Sequence, residues 1–275
     1  MAKLTTYQAD TRFASGDILI KDGTNGTRKI SASDAAVEFA GLVSAVNHRN
    51  IYRGKSLGTS VTAAQKAAIA NGTFDDLFIG DYWTIGSIKY RIADMDYWLN
   101  CGDTSTTKHH LVMIPDKALY SAVMNDTNTT AGGYVGSKMY TTNLAQAKTT
   151  ISTAFGDMLL THREYLTNAV TAGAPSGGAW FDSTVELMNE PMVYGSHFFA
   201  PANNGVTVPT RYTINNSQLS IFRLNPTMIK DRETIWLRDV VSAAAFANVG
   251  GNGATASAGA SNSNGVRPDF AIVGN

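Results

Sequence analysis

Ile235-Trp236-Leu237-Arg238-Asp239 and Gly265-Val266-Arg267-Pro268-Asp269-Phe270-Ala271-Ile272 bracket a segment, Gly250 to Gly265, built only from Gly, Ala, Ser, Thr and Asn. No charge lies between Asp239 and Arg267. Flexible linkers share this composition. Here, however, strand-like, aromatic-bearing runs hold both ends and little sequence follows the second, so the segment is expected to be an insert and not a linker. A scaffold that grips a small-residue surface in this way presents it to something.

Alternation along a half-exposed hairpin turns Ala245, Asn248, Asn252, Ala254, Ala256, Ala258, Asn262 and Asn264 to solvent, and these are the expected display positions. Gly253 and Gly265 are expected to turn the chain with positive φ. Trp236 and Arg238 alternate on a strand and so share a face. Arg267 precedes a proline, which extends its backbone. A buried arginine there needs carboxylates or backbone carbonyls, and Asp239 and Asp269 are nearest in sequence. Trp236, Arg238, Asp239, Arg267, Asp269 and Phe270 are therefore expected to form a structural clamp on the insert.

The 275 residues suffice for one large domain or two ordinary ones, and 44% hydrophobic residues build a sizeable core. Charged residues are only 16% and the net charge is zero, with Lys and Arg scattered, so no electrostatic footprint for nucleic acid or acidic membranes exists. The single cysteine, Cys101, forms no intrachain disulfide and supports no cysteine-based zinc cluster. Met1 to Asp10 carries no secretory pattern, and no run reaches membrane-spanning length. The chain is expected to be made in a cytoplasm and to leave it by assembly or lysis.

Residues 1–50 read as a separate unit. Asp17 to Lys21 and Arg28 to Ile30 are extended runs around the turn signal Asp22-Gly23-Thr24-Asn25-Gly26, and Ser33-Asp34 caps a helix from Ala35 to Leu42. Ile18, Ile20, Ile30, Val37, Phe39 and Leu42 need burial that so short a segment cannot supply. It is expected to pack on copies of itself or on a larger particle. Residues 51–275 form the main domain. Thr62 opens a helix ended by Asn71-Gly72. Leu77 to Ile85 and Ile88 to Met95 form a hairpin around Gly86-Ser87, Leu111 to Pro115 is a buried strand, and Thr142-Asn143 caps a helix from Leu144 to Phe155. His162-Arg163-Glu164 reads as a helix start, and the chain from Gly173 to about Asn225 as ordered, irregular loop. The expected class is α+β: a small twisted, mainly antiparallel sheet with two or three helices and long ordered loops.

Reactive chemistry is sparse. His109 and His110 point to opposite faces of a strand and do not readily share a metal. Asp94 and Asp96 share a strand face and read as loop braces ahead of acid–base partners. Glu186, Asn189 and Glu190 resemble the acidic-amide clusters that bind calcium in lectins, over a short match. No serine sits in a nucleophile elbow, and Gly177-Gly178 lacks the context of a phosphate loop. No catalytic residue, cofactor or metal is assigned.

Trp236-Leu237-Arg238-Asp239 with Gly265-Val266-Arg267-Pro268 and Phe270 resembles the C-terminal signature of the C-type-lectin-like domains related to formylglycine-generating enzyme. The pattern also resembles phage and prophage surface proteins, including the variable proteins of diversity-generating retroelements and phage tropism determinants. Weaker matches at Ile51-Tyr52-Arg53-Gly54-Lys55, Gly80-Asp81-Tyr82-Trp83, Thr161 to Leu166 and Val185 to Met188 extend the resemblance over about residues 51–275. It implies a lectin-like display domain that binds a host cell-surface receptor, often as a trimer, with residues 1–50 as the anchor to other virion proteins. The enzyme branch uses a cysteine pair that this chain lacks, so oxidase activity does not carry over. The insert has no aromatics, so each site would bind weakly and many copies would be needed. A structural or decoration protein of the particle is the alternative. A glycan-processing enzyme using Glu186, Glu190 and Asp96 is a third reading.

Overall fold

The computed structural model describes residues 18–21, 28–31, 48–199, 217–230 and 232–275. β1 (Ile18–Lys21) and β2 (Arg28–Ser31) pair antiparallel, with Ile18 opposite Ser31. The turn between them, the expected helix over 35–42 and the burial expected of Val37, Phe39 and Leu42 lie outside the described residues.

α1 (Ala63–Ala70) starts as expected, in a capping box. Thr62 Oγ1 accepts from the Gln65 amide at 3.2 Å, and Gln65 Oε1 accepts from the Thr62 amide at 2.9 Å. β3 (Tyr82–Ile85) and β4 (Ile88–Met95) form the expected hairpin, Ile85 opposite Ile88, with Gly86 at φ 62° in the turn, but the first strand starts at Tyr82 and not at Leu77. β5 (His110–Pro115) is buried throughout, and β6 (Tyr120–Ala122) follows. α2 (Ala145–Phe155) turns Ala147, Ile151 and Phe155 inward and ends at Gly156. Thr142 and Asn143 do not cap it. They lie in a π-helical turn, Met139–Asn143, and Asn143 Nδ2 donates to the Val123 carbonyl at 2.8 Å.

The largest departure from expectation follows. His162-Arg163-Glu164 does not start a helix. It opens β7 (His162–Thr171), which pairs along its length with β8 (Ala174–Ser183), inside the stretch expected to be loop. The inward positions at its start are polar, His162 and Glu164, and this hid the period of two. Pro175 and Gly177-Gly178 also argued against a strand, yet a two-stranded ribbon tolerates both. Gly178 is required there, since a Cβ would come within 2.5 Å of the Tyr165 ring.

β9 (Val185–Leu187), α3 (Glu190–Tyr194) and α4 (Ser220–Leu224) lead to β10 (Ile235–Val240), β11 (Ala245–Val249), β12 (Thr255–Gly259), β13 (Asn264–Val266) and β14 (Pro268–Val273). The expected single small sheet is two five-stranded sheets and the β7–β8 ribbon, ordered β3-β4-β5-β14-β9 and β12-β11-β10-β13-β6. All pairs are antiparallel except β10 with β13, where Ile235 faces Gly265. The class is α+β. One core runs through both sheets and holds Trp83, Trp98, Trp236, Tyr90, Phe246 and Phe270. Among the described residues no helix is long and apolar enough to cross a membrane.

The sheets are joined by continuous chain. β13 lies in one and β14 in the other, and Arg267 is the residue between them. A second link runs beside it, where the Arg238 amide donates to the Met188 carbonyl at 3.0 Å just past β9.

Candidate display surface and its buried support

The insert is a hairpin on the outer edge of its sheet. β11 pairs with β12 in unbroken register, Ala245 opposite Gly259 and Val249 opposite Thr255. Its tip closes on itself: the Gly250 amide donates to the Ala254 carbonyl at 2.8 Å, the Gly253 amide to the Gly250 carbonyl at 2.7 Å, and Asn252 Oδ1 accepts from the Ala254 amide at 3.0 Å. Gly253 has φ 89°, the positive value expected of it. A second turn carries the chain out of β12, with the Asn262 amide donating to the Gly259 carbonyl at 2.9 Å. Asn128 braces it by accepting from the Ser261 amide at 3.0 Å and hydroxyl at 2.8 Å.

Of the expected display positions, Asn252, Ala254 and Asn262 are exposed, and Ala245, Ala256, Ala258 and Asn264 are half-buried. Asn248 is only 2% exposed and is not a display position. The sheet is not half-exposed at β11: its neighbours Phe246, Ala247 and Val249 are buried as well, so both faces of the strand are covered. Ala258 likewise packs against the core. Ser257 and Ser263 are exposed and were not expected. On β12 the outward register is the one containing Ser257, one residue away from the set read from sequence. Gly265 does not take positive φ. It is needed for close approach, since a Cβ there would meet Ala118 Cβ at 2.7 Å and Ile235 Cγ2 at 3.1 Å.

Exposed aromatics stand next to the tip. Tyr194 donates its hydroxyl to the Gly253 carbonyl at 3.2 Å and meets Phe198 edge-on at 5.6 Å. Phe198 and Phe199 are 59% and 46% exposed. Their amides are not free: both donate to the buried Glu190 carboxylate, at 3.1 Å each. The backbone is pinned while the rings face outward.

All six expected clamp residues are buried, but their partners differ from those expected. Arg267 does not rely on Asp239 or Asp269. Its Nε donates to the Pro115 carbonyl at 2.9 Å and its Nη1 to the Met228 carbonyl at 3.0 Å, with the guanidinium 5.9 Å from the Phe222 ring. Trp236 Nε1 donates to the Ala122 carbonyl at 2.9 Å. Phe270 packs on Tyr90 and Phe155, 5.8 and 5.2 Å between centroids. Pairing with β11 is irregular between Trp236 and Val240, so simple alternation does not carry from Trp236 to Arg238. Arg238 instead pairs with Glu164 and donates to the Leu187 carbonyl at 3.2 Å.

This places a buried acidic group at the junction of the sheets and the ribbon. Burial pushes the Glu164 carboxyl up, but Arg238 and His162 outweigh it and hold it below its ordinary value. Glu186 accepts from Tyr134 at 2.8 Å and Ser183 at 3.0 Å, and burial raises its carboxyl, as does the Glu164 charge. Asp269 is 1% exposed, and neither carboxyl oxygen has a hydrogen-bond partner among the described residues. Burial, with the Glu164 charge beside it, raises its carboxyl well above the ordinary value. Asp239 Oδ2 accepts from the Glu190 amide at 2.7 Å. Burial, then the Glu190 charge, pushes the Asp239 carboxyl up to about 7.

The remaining candidates are braces. Asp94 pairs with Arg49 and accepts from the Ser220 amide at 3.0 Å; Asp96 accepts from the His110 amide at 2.9 Å. The buried His110 accepts at Nε2 from the Trp98 amide (3.0 Å) and donates from Nδ1 to the Lys108 carbonyl (2.9 Å), and burial pushes it down to about 4. Asn189 caps α3 by accepting from the Met192 amide at 2.8 Å. Among the described residues no three His, Cys, Asp or Glu side chains are placed to hold one metal ion. An open groove of about 640 Å³ lies between Ser105, Thr106, Thr161, Arg163 and Asp182, where Arg163 is committed to Asp103 and Asp182.

Sequence reasoning missed Glu164 as the partner of Arg238, because it placed that residue on a helix. It also missed the Phe198–Phe199 presentation, whose only sequence signal was an aromatic pair in a loop. No family model, no curated protein and no solved structure matches this chain.

Proposed function

We propose that this chain is a phage virion-surface protein, a fibre or knob of tail or head, that binds a host cell-surface receptor through a C-type-lectin-like display domain. The carrying observation is the hairpin around Asn252, Ala254, Ser257 and Asn262: small, uncharged side chains on an outer edge, carried by pairing of β11 with the buried β10, which holds Trp236 and Arg238. Such a surface can vary without disturbing its support. The sequence resemblance at those same residues supports the reading, as does the low charge. The neighbouring Phe198 and Phe199 supply the aromatic area that the insert lacks. Residues 1–50 serve as the anchor to other virion proteins and assemble the chain as a homotrimer. Light scattering should give a trimer for the full chain and a smaller species for a chain starting at Tyr52; monomers in both cases reject the trimer.

Purified protein, displayed in many copies, should adhere to host cells or their envelope glycans. Absence of adhesion in the multivalent form counts against attachment. The insert's small side chains favour a second reading, a decoration protein that covers or stabilises the particle. Deleting the gene separates the two: intact particles that no longer adsorb support attachment, and fragile or unassembled particles support decoration.

A further inference from the structure

We propose that Asn252, at the tip of the insert hairpin, is a site of self-deamidation that turns a neutral tip into a charged one. The reaction needs only water. The Gly253 backbone nitrogen gives its proton to hydroxide and attacks Asn252 Cγ. The bond from Cγ to Nδ2 breaks, ammonia leaves, and a five-membered succinimide ring remains. Water then opens the ring at either carbonyl. One opening gives aspartate; the other gives isoaspartate, in which the backbone runs through Cβ. The balance is one water consumed, one ammonia released and one carboxylate gained, with no oxidant or reductant.

A following glycine favours the attack because no side chain shields its nitrogen. Asparagine precedes glycine at residues 25–26, 71–72, 204–205, 252–253 and 264–265; the first and third of these pairs lie outside the described residues. The structure separates the other three. Asn264 and Gly265 are held in β13 opposite Ala122 and Ser121, and the Gly265 amide donates to the Thr234 carbonyl at 2.8 Å. Ring closure there would have to part the packed junction against Ala118 and Ile235. Asn71 is exposed but ends α1 at ψ −9°, which swings Cβ out of the plane that the ring must share with the Gly72 nitrogen. Its amide and that of Gly72 donate to the Ala67 and Ile69 carbonyls, each at 3.0 Å. The His109 ring, held by Asp96 at 2.8 Å, stands against Gly72, where a Cβ would come within 2.6 Å of it.

Asn252 differs from both. Its side chain is already folded over the peptide to be attacked: Oδ1 accepts from the Ala254 amide at 3.0 Å, in a ring that encloses the Asn252–Gly253 bond. The same N–H stands where Oδ1 gains charge as the nitrogen adds to Cγ. Asn252 is exposed, and a Cβ on Gly253 would meet nothing closer than Lys230 Cβ at 3.3 Å. The Gly253 amide must first leave the Gly250 carbonyl, 2.7 Å away. Opening one turn at a hairpin tip costs far less than unfolding the sheet. The product carboxylate appears in a stretch with no charge from Asp239 to Arg267, and isoaspartate also lengthens the backbone of the turn. This chemistry stands whether or not the hairpin binds a receptor.

Peptide mapping by mass spectrometry, on the full chain aged in mildly alkaline buffer, tests this. The peptide holding Asn252 should gain about 1 Da, as aspartate and isoaspartate together, about tenfold sooner than those holding Asn71 or Asn264. In guanidinium the fold's contribution is gone, and the three rates should converge. Gly253→Ala should slow the conversion by about tenfold, because the methyl shields the attacking nitrogen. Three results in the unaltered chain overturn the proposal: Asn252 converting no faster than Asn71 or Asn264, the same order of rates in guanidinium, or aspartate forming without isoaspartate. An unchanged rate in Gly253→Ala would likewise remove the Gly253 nitrogen from the reaction.

Discussion

The turn at 250–254 closes on its own backbone and leaves Asn252 and Ala254 exposed, whereas a few residues further on Gly265 to Val273 run buried without interruption. The two stretches are neighbours in the sequence, yet they do opposite work. The tip draws its shape from its own hydrogen bonds, with one outside bond from the Tyr194 hydroxyl to the Gly253 carbonyl. The buried stretch changes sheets at Arg267 and is held by carbonyls from distant parts of the chain, Pro115 and Met228. A surface can vary when its geometry is local and its support is remote, and substitutions on the two sides should separate cleanly.

The largest effect is expected at Arg238. Replacing it with Ala leaves the buried Glu164 carboxylate only His162, 3.0 Å away at Nε2, and should cost about 3–5 kcal/mol in urea unfolding. A loss below about 1 kcal/mol would mean that His162 alone satisfies Glu164, since an exposed pair is worth no more than that. Arg267→Ala comes next. It unpairs the Pro115 and Met228 carbonyls at the crossing between sheets and should cost roughly 1–3 kcal/mol. Arg267→Lys should not restore the loss, because an ammonium lacks the fork that reaches both carbonyls.

The two expected turn glycines sharpen the comparison. Gly265→Ala drives a methyl to within 2.7 Å of Ala118 Cβ in the packed junction and should cost about 1–3 kcal/mol. Gly253→Ala has no contact under 3.3 Å and meets only the strain of φ 89°, about 1–2 kcal/mol. Thermal melts of the pair should rank Gly265→Ala as the less stable. The reverse order would place the tight packing at the tip.

Much of this arrangement is legible in sequence. Thr62 and Gln65 announce α1, Gly86-Ser87 the β3–β4 hairpin, and the apolar run from Leu111 the buried β5. Burial of all six clamp residues follows from two strand-like runs around an uncharged insert. Their partners are not legible, because Glu164, Pro115 and Met228 arrive from elsewhere in the chain. β7 and β8 are missed for a different reason. Polar side chains at the inward positions His162 and Glu164 remove the apolar alternation, while Pro175 and Gly177-Gly178 imitate a loop. Asn248 is misplaced because alternation gives a strand two faces without saying whether one is wet; in β11 both are covered.

The most direct measurement randomises Asn252, Ala254, Ser257, Asn262 and Ser263 together and sorts the library separately for folding and for adhesion to host cells. Single changes there should stay within about 0.5 kcal/mol, so most members should fold while their adhesion differs from one to another. Widespread unfolding, or uniform adhesion among well-folded members, would contradict a variable surface carried on a separate buried support.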